Sequence, residues 1–441
     1  MRLKRWRLAV VTFLVVLAMV LAACGQSGQG DQGTGGQQEA GGDSGAQGGS
    51  TEKVTVTLTG WGSSPTETEL FMQVLEEFEK KHPNIDVKWE PINENYMDVL
   101  QTRLVGGQAA DVFYLDSSEA PAMMSRGLLE PLDSYIKPED DLADFEENLL
   151  NAFRWEGKIY GLPKDYSTLA LFYNKKLFEE AGLKEPPKTW DELLEYAKKL
   201  TKDTNGDGKP DQWGLAIQHG LDRAGIFIYG NGGEIVDETG KDVRFDEPAA
   251  VEGVQWYVDL ALKHKVAVRP QDIGAGWTGD AFGKGNIGMV IEGPWAIPFL
   301  KDNYPEVEYG VAELPSKDGQ NKVTYAFTVA YVMNKQAKNK EAAWQLIRYL
   351  TGKEGMKTWT SLGIALPSRK SVAQAHKYDQ DPLRKAFIAG AAYARPWQLG
   401  LHFSVINNNF NNQMEAVFAG QKSVADALKE AAATAEKEIG R

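Results

Sequence analysis

Apolar and polar positions follow two different periods along the chain after residue 52. Val54-Thr55-Val56-Thr57-Leu58 alternates every second position, the period of a half-buried strand, and Gly60-Trp61-Gly62-Ser63-Ser64-Pro65 breaks it. Leu70, Phe71, Val74, Leu75 and Phe78 then recur at helical spacing, and His82-Pro83 predicts the end of that helix. Ile85, Val87 and Trp89 predict a second strand with one apolar face. Val99, Leu100 and Leu104 predict a second helix stopped at Gly106-Gly107, and Val112 to Leu115 reads as an apolar strand. Further on, Thr189 and Glu192 have the spacing of a capping box at a helix start. Glu247-Pro248 opens a helix through Val251, Val254, Tyr257, Val258 and Leu262, and Ala425 to Glu438 is rich in strong helix formers.

Strand-helix alternation of this kind predicts an α/β layer architecture with a largely parallel sheet. Ligands of such sheets sit in the crevice beyond the carboxyl ends of the strands, which is where the loops at Trp61 and at Asp116-Ser117-Ser118-Glu119 fall. The pattern resumes after residue 205, and about 390 residues are more than one core ordinarily serves, so two α/β lobes are expected.

The first fifty residues break with this pattern. Arg2, Lys4, Arg5 and Arg7 precede an apolar run from Leu8 to Ala23 that is too short to span a bilayer as a helix, the order of a secretory signal (residues 1–23). The run ends Leu21-Ala22-Ala23-Cys24, which resembles the bacterial lipobox. That resemblance implies cleavage before Cys24, a lipid on its thiol, and a protein held outside the cytoplasmic membrane. Residues 24–52 are then a tether: Gly25 to Ser50 contains 11 Gly, 6 Gln and 3 Ser and no large apolar side chain. As a flexible coil it has an r.m.s. span of about 28 Å.

Charge and cysteine count narrow the function classes. The formal net charge of −13 becomes −17 once the four N-terminal cations are removed, which argues against nucleic acid as a partner. A single cysteine excludes an intrachain disulfide and any multi-cysteine metal site. No phosphate loop, dinucleotide fingerprint, His-Glu-x-x-His or Gly-x-Ser-x-Gly occurs.

Four segments carry a family resemblance. They are Gly161-Leu162-Pro163-Lys164-Asp165-Tyr166 with Leu171-Phe172-Tyr173-Asn174-Lys175 and Ala181-Gly182-Leu183; Pro187-Lys188-Thr189-Trp190-Asp191-Glu192-Leu193; Ala281-Phe282-Gly283-Lys284-Gly285-Asn286-Ile287-Gly288-Met289 with Gly293-Pro294-Trp295; and Gly363-Ile364-Ala365-Leu366-Pro367-Ser368-Arg369. In this order and at these distances they resemble the family 1, maltose-binding type of extracellular solute-binding protein of ABC importers. The resemblance implies a two-lobed periplasmic-binding-protein-like fold of type II, each lobe a mostly parallel sheet flanked by helices, with the ligand cleft between the lobes. It further implies lobe one at 53–164 plus 322–366, lobe two at 165–316 plus 370–441, and hinge crossings at 164–168, 316–322 and 366–371. It makes the chain a non-enzyme, a monomer whose partners are a sugar and the permease subunits of an importer, with no cofactor required.

A sugar presents an apolar C–H face that stacks on an aromatic ring and a rim of hydroxyls that need polar partners when desolvated. Trp295 matches a position where the family stacks sugar. Trp61 and Trp277 are loop aromatics beside glycine, and Trp397 follows Arg395-Pro396. Asp116, Ser117 and Asp165 are candidates for the hydroxyls from lobe one and the crossing, with His219 and Asp280 from lobe two. Core packing is the alternative for each tryptophan, a structural hydrogen bond for Asp165 and a helix N-cap for Asp280; Trp190 and Trp344, set in helical patterns, are assigned to packing. Asp203, Asn205, Asp207, Lys209 (through its carbonyl) and Asp211 have the spacing of an EF-hand calcium loop, with Gly208 at position six for the turn, but Gly214 stands where the bidentate glutamate belongs. Structural calcium and a plain Asx/Gly turn are both open at this point. A lipid-anchored glycoside hydrolase and a binder of glycerol-phosphate-type solutes are the rival functions, although the negative charge favours a neutral ligand.

Overall fold

The computed structural model of the chain describes residues 53–62, 65–93, 95–237 and 240–440; the signal segment, Cys24 and the tether lie outside the described residues. The first alternating segment forms β1 (Val54–Thr59), β2 (Ile85–Trp89) and β3 (Val112–Asp116), which pair in parallel with β1 in the middle. The helices Pro65–Lys81 and Tyr96–Val105 connect them, as the helical spacing predicts. Phe71, Val74, Leu75 and Phe78 are buried, each contributing about 1.5–3 kcal/mol relative to exposure. A short hairpin, β4 (Arg154–Trp155) and β5 (Lys158–Ile159), leads into β6 (Gly161–Thr168), whose eight residues are all buried.

Beyond β6 the chain enters a second sheet. β7 (Ala170–Asn174), β8 (Trp213–Ala216), β9 (Ala267–Val268), β10 (Ile287–Glu292) and β11 (Tyr309–Ala312) form it in the order β11-β7-β10-β8-β9. The chain then returns: β12 (Thr324–Met333) pairs with β3 and β6 in the first sheet, and β13 (Ala394–Pro396) joins the edge of β12. Each sheet is therefore mixed. β1, β2 and β3, like β8, β9 and β10, pair in parallel, whereas every antiparallel pair of the two sheets involves β6, β7, β11 or β12. Those four strands flank the two passages between sheets, at Leu169 and at residues 313–323. Leu366 forms an isolated antiparallel bridge with Tyr166 of β6.

Local sequence signals persist in the fold. Thr189 Oγ1 accepts from the Glu192 N–H at 3.1 Å and Glu192 accepts from the Thr189 N–H, so the capping box opens helix Trp190–Leu200. Pro248–Leu262 and Val424–Ile439 are helices. Trp190 and Trp344 are core residues of separate clusters, the first packed around the second sheet and the other around the first.

Candidate functional site

Four loops leave the carboxyl ends of parallel strands: β1 gives Trp61, β3 gives Asp116 and Ser117, β8 gives His219, and β10 gives Glu292 and Trp295. This is the crevice side expected of open α/β sheets.

Trp61 is half-buried, with its ring edge-on to Tyr96 (4.9 Å between centroids) and Tyr114 (5.2 Å). Tyr114 in turn lies 5.1 Å from the Lys164 ammonium, which also sits 4.0 Å above the Trp359 ring. Lys164 owes this position to a β-bulge. Val329 pairs with Asp165 and Ala330 with Pro163, so Lys164 is the extra residue, and its side chain is turned onto the two rings. It forms a buried ion pair with Asp165, whose Oδ2 also accepts from Trp359 Nε1 at 2.7 Å. Asp116 accepts from the Ser118 N–H (2.9 Å) and hydroxyl (2.7 Å). Burial raises its carboxyl above the usual range; the Ser118 bonds oppose this and the nearby Glu119 and Asp165 charges add to it.

Ser117 is fully buried, donating its hydroxyl to the Trp397 carbonyl at 3.3 Å, while Gln398 Nε2 donates to the Ser117 carbonyl at 2.8 Å. Trp397 is 7 % exposed and touches Tyr325, Phe327 and Phe403. Phe327 also meets Trp295 at 5.9 Å and 76°. An aromatic chain thus runs from Trp295, at the second sheet, through Phe327 on β12 to Trp397, whose carbonyl is hydrogen-bonded to Ser117 beside Asp116. Trp295 is half-buried and donates its indole N–H to Glu292 Oε2 at 3.0 Å.

The remaining candidates make other contacts. His219 Nδ1 is 3.3 Å from Glu415, which also holds Arg269. Trp277 packs edge-on to Phe299 at 4.8 Å. Asp280 accepts from the Gly276 N–H and the Tyr304 hydroxyl; burial works the other way, but these bonds and Lys284 hold its carboxyl below the usual range. Two cavities, one of ≈ 410 Å³ beside His82, Arg348 and Arg369 and one of ≈ 590 Å³ beside Tyr173, Val311 and Lys385, are lined by none of the nine ligand candidates.

In the Asp203–Asp211 loop the carboxylates face backbone amides. Asp203 accepts from the N–H groups of Gly206, Asp207 and Gly208, Asn205 from that of Asp207, Asp207 from that of Lys209, and Asp211 from Thr204. Among the described residues no group of three or more His, Cys, Asp or Glu is arranged to hold a metal ion.

Sequence reading passed over Lys164, Trp359, Arg223 and Glu292. Glu292 had a signal: it is the one charge closing the otherwise uncharged strand Ile287–Ile291, directly before Gly293-Pro294-Trp295. Arg223 is likewise charged, beside Asp222, at the start of the otherwise uncharged helix Leu221–Gly230. Neither Lys164 nor Trp359 has one, because the bulge and the packing that join them are not local.

Solved structures share the architecture. An ABC substrate-binding protein of Listeria monocytogenes in complex with cycloalternan superposes with a TM-score of 0.79 at 26 % identity, over 88 % of this chain and 99 % of that one. An ABC transporter solute-binding protein of Thermotoga lettingae bound with alpha-D-tagatose gives 0.77 at 27 %, over 88 % and 100 %. The maltotriose-binding protein of Pyrococcus abyssi is 26 % identical over 337 residues, 75 % of this chain and 70 % of that one. The fold is the two-lobed α/β architecture of sugar-binding proteins of this kind. With residues 62–357 matching the family as a whole, the chain belongs to the bacterial extracellular solute-binding proteins, binding proteins that work outside the cytoplasm.

Proposed function

We propose that the protein is the substrate-binding component of a carbohydrate ABC importer, capturing a neutral oligosaccharide between its lobes and delivering it to a membrane permease. The observation that carries this reading is Trp295. It is an aromatic ring at the carboxyl end of a central strand, half-exposed, at the end of an aromatic chain that reaches the other sheet through Phe327. The relatives support the sugar class, among them the maltotriose-binding protein of Pyrococcus abyssi and the galactooligosaccharide-binding protein of Bacillus subtilis. We take lobe one as 53–164 and 322–366 and lobe two as 165–316 and 370–441, with β13 of the last segment reaching back to the edge of the first sheet, and with closure about crossings at 164–168, 316–322 and 366–371, as in other hinge-closing binding proteins. Trp61 and Asp116 face the sugar from the first lobe, with Trp295 as its stacking ring, while Asp165, buried between Lys164 and Trp359, holds the crossing strand.

The test is a thermal-shift and calorimetric panel of maltotriose, mannotriose, galactooligosaccharide and tagatose, with glycerol phosphodiester as the charged control. Tight binding of one sugar, recovered unchanged on product analysis, supports the reading. Cleaved sugar would instead make the protein a hydrolase. Trp295→Ala weakens binding by about 2–4 kcal/mol, as for a central aromatic anchor, and an unaltered Kd refutes the stacking role.

Two subsidiary proposals complete the picture. Cys24 carries a lipid that anchors a monomer to the outer face of the membrane; Cys24→Ser then releases the protein into the medium. Structural calcium at Asp203, Asn205, Asp207, Lys209 and Asp211 rests on the spacing alone and requires their oxygens to turn from the backbone amides. Chelator-treated protein that gives no heat on titration with calcium removes it.

A further inference from the structure

Glu292 closes β10, a strand buried along its whole length, and its own side chain is 1 % exposed. A carboxylate taken that far out of water is stable only when partners replace its hydration. Oε1 accepts the Thr278 hydroxyl, and Oε2 accepts Arg223 Nη2 at 3.1 Å, Trp295 Nε1 at 3.0 Å and the Gly293 N–H at 3.4 Å. Arg223 is secured behind it: Nε donates to the Ile291 carbonyl at 3.1 Å and Nη1 to Asp222 Oδ2 at 2.7 Å. At this burial Glu292 presents no surface to a ligand. What it reaches is the indole.

Trp295 is consequently held on several sides. Its N–H is bound to Glu292. Gly293 lies so close to the ring that a Cβ there would sit 2.2 Å from it, and the Phe327 ring meets it edge-on. The ring is nevertheless only half-buried, which leaves part of it available. The geometry points to Glu292, Arg223 and Thr278 as positioning residues that lock the Trp295 indole in its binding orientation before a sugar arrives. This rests on Trp295 being the stacking ring of the proposed function. A side chain ordered in advance spares the complex the loss of its rotamer freedom, which is worth about three- to tenfold in affinity.

The indole itself reports the clamp in protein free of sugar. In 15N-tryptophan-labelled protein the Trp295 indole resonance is identified by its loss in Trp295→Phe. Glu292→Gln and Thr278→Val should each shift and broaden it while leaving the resonance of the distant Trp89 in place; an unmoved Trp295 resonance overturns the proposal. Affinity is then measured by titration with maltotriose, or with whichever sugar of the panel above binds in its place. Glu292→Gln is expected to weaken binding about three- to tenfold in the parent protein. It should have no effect in a Trp295→Phe background, which keeps a ring but has no N–H to hold. An equal loss in both backgrounds is what a merely structural role produces, and it overturns the clamp. Thr278→Val carries both measurements if Glu292→Gln does not fold. Undiminished binding by Trp295→Ala would remove the stacking role alone, and the indole resonance would still decide whether the clamp exists.

Discussion

Replacing Lys164 by methionine tests how the crossing strand is held. The Lys164 side chain is 5 % exposed and that of its partner Asp165 8 %. Methionine keeps the unbranched apolar stem but removes the charge, so Asp165 is left buried with Trp359 Nε1 as its remaining side-chain donor at 2.7 Å. Removing one member of a buried pair costs about 3–5 kcal/mol, because the other charge stays uncompensated. The ammonium also gives up its place 4.0 Å above the Trp359 ring and 5.1 Å from that of Tyr114, a contribution of up to about 2 kcal/mol when desolvated. Unfolding entropy of about 2.1 cal/mol/K per residue, taken over the body from Thr51 to Arg441, gives about 0.8 kcal/mol/K. A loss of 3–5 kcal/mol therefore lowers Tm by about 4–6 °C if that body unfolds as one unit, and by about twice as much if the lobes unfold separately. Differential scanning calorimetry of Lys164→Met, Asp165→Asn and the double variant measures it. The double variant should recover at least half of the loss, since it no longer buries an unpaired charge. A Tm within about 1 °C of the parent for Lys164→Met would refute the reasoning, and so would a double variant no better than the sum of its singles.

Two further substitutions follow from local geometry. Gly293→Ala places a Cβ 2.2 Å from the Trp295 ring; overpacking of this kind costs about 1–3 kcal/mol, and displacement of the indole should weaken sugar binding as well, so Tm should fall and Kd should rise. Asp144 accepts from the Ser371 N–H and hydroxyl and lies 3.4 Å from Arg369; burial works to raise its carboxyl, but these partners, with Lys353, hold it below the usual range. Because its folded pKa is depressed, its contribution is present above the unfolded value of about 3.9 and disappears as pH falls through the folded value. Denaturant unfolding should thus separate Asp144→Asn from the parent at pH 6 and narrow the gap as the pH falls through the depressed folded value; a gap independent of pH would contradict it.

The fold was legible where it is local. Period-two alternation located β1 and β2, the spacing of Phe71, Val74 and Phe78 located their connecting helix, and Thr189 with Glu192 marked a helix start to the residue. The antiparallel half of each sheet was not legible. β6 and β12 pair across more than 150 positions of sequence, and a strand buried on both faces carries no alternation: Gly161 to Thr168 reads as a mixture of small, polar and apolar residues. Pro163 even argues against a strand, and it is accommodated because β6 pairs with β12 alone among the named strands and the bulge at Lys164 interrupts that pairing beside it.

The site divides along the same line. Residues that sequence could nominate share a chemical type with their task, as tryptophan does with stacking, and several were found at the ends of parallel strands. What sequence could not weigh is occupancy. Ser117 has a hydroxyl suited to a sugar, but in the fold it is spent on the Trp397 carbonyl, and Trp397 itself is enclosed by Tyr325, Phe327 and Phe403. Conversely Glu292 and Arg223 read as unwelcome charges in apolar runs, whereas together they balance one another and fasten the indole beside them. The rule that separates these cases is saturation: a buried polar group whose partners are all protein acts on the protein, and only a side chain left with a free face, as Trp295 is, has something to offer a ligand. Saturation depends on atoms brought together from distant segments, such as Thr278, Arg223 and Trp295 around one carboxylate, and so it belongs to the fold and not to any stretch of sequence.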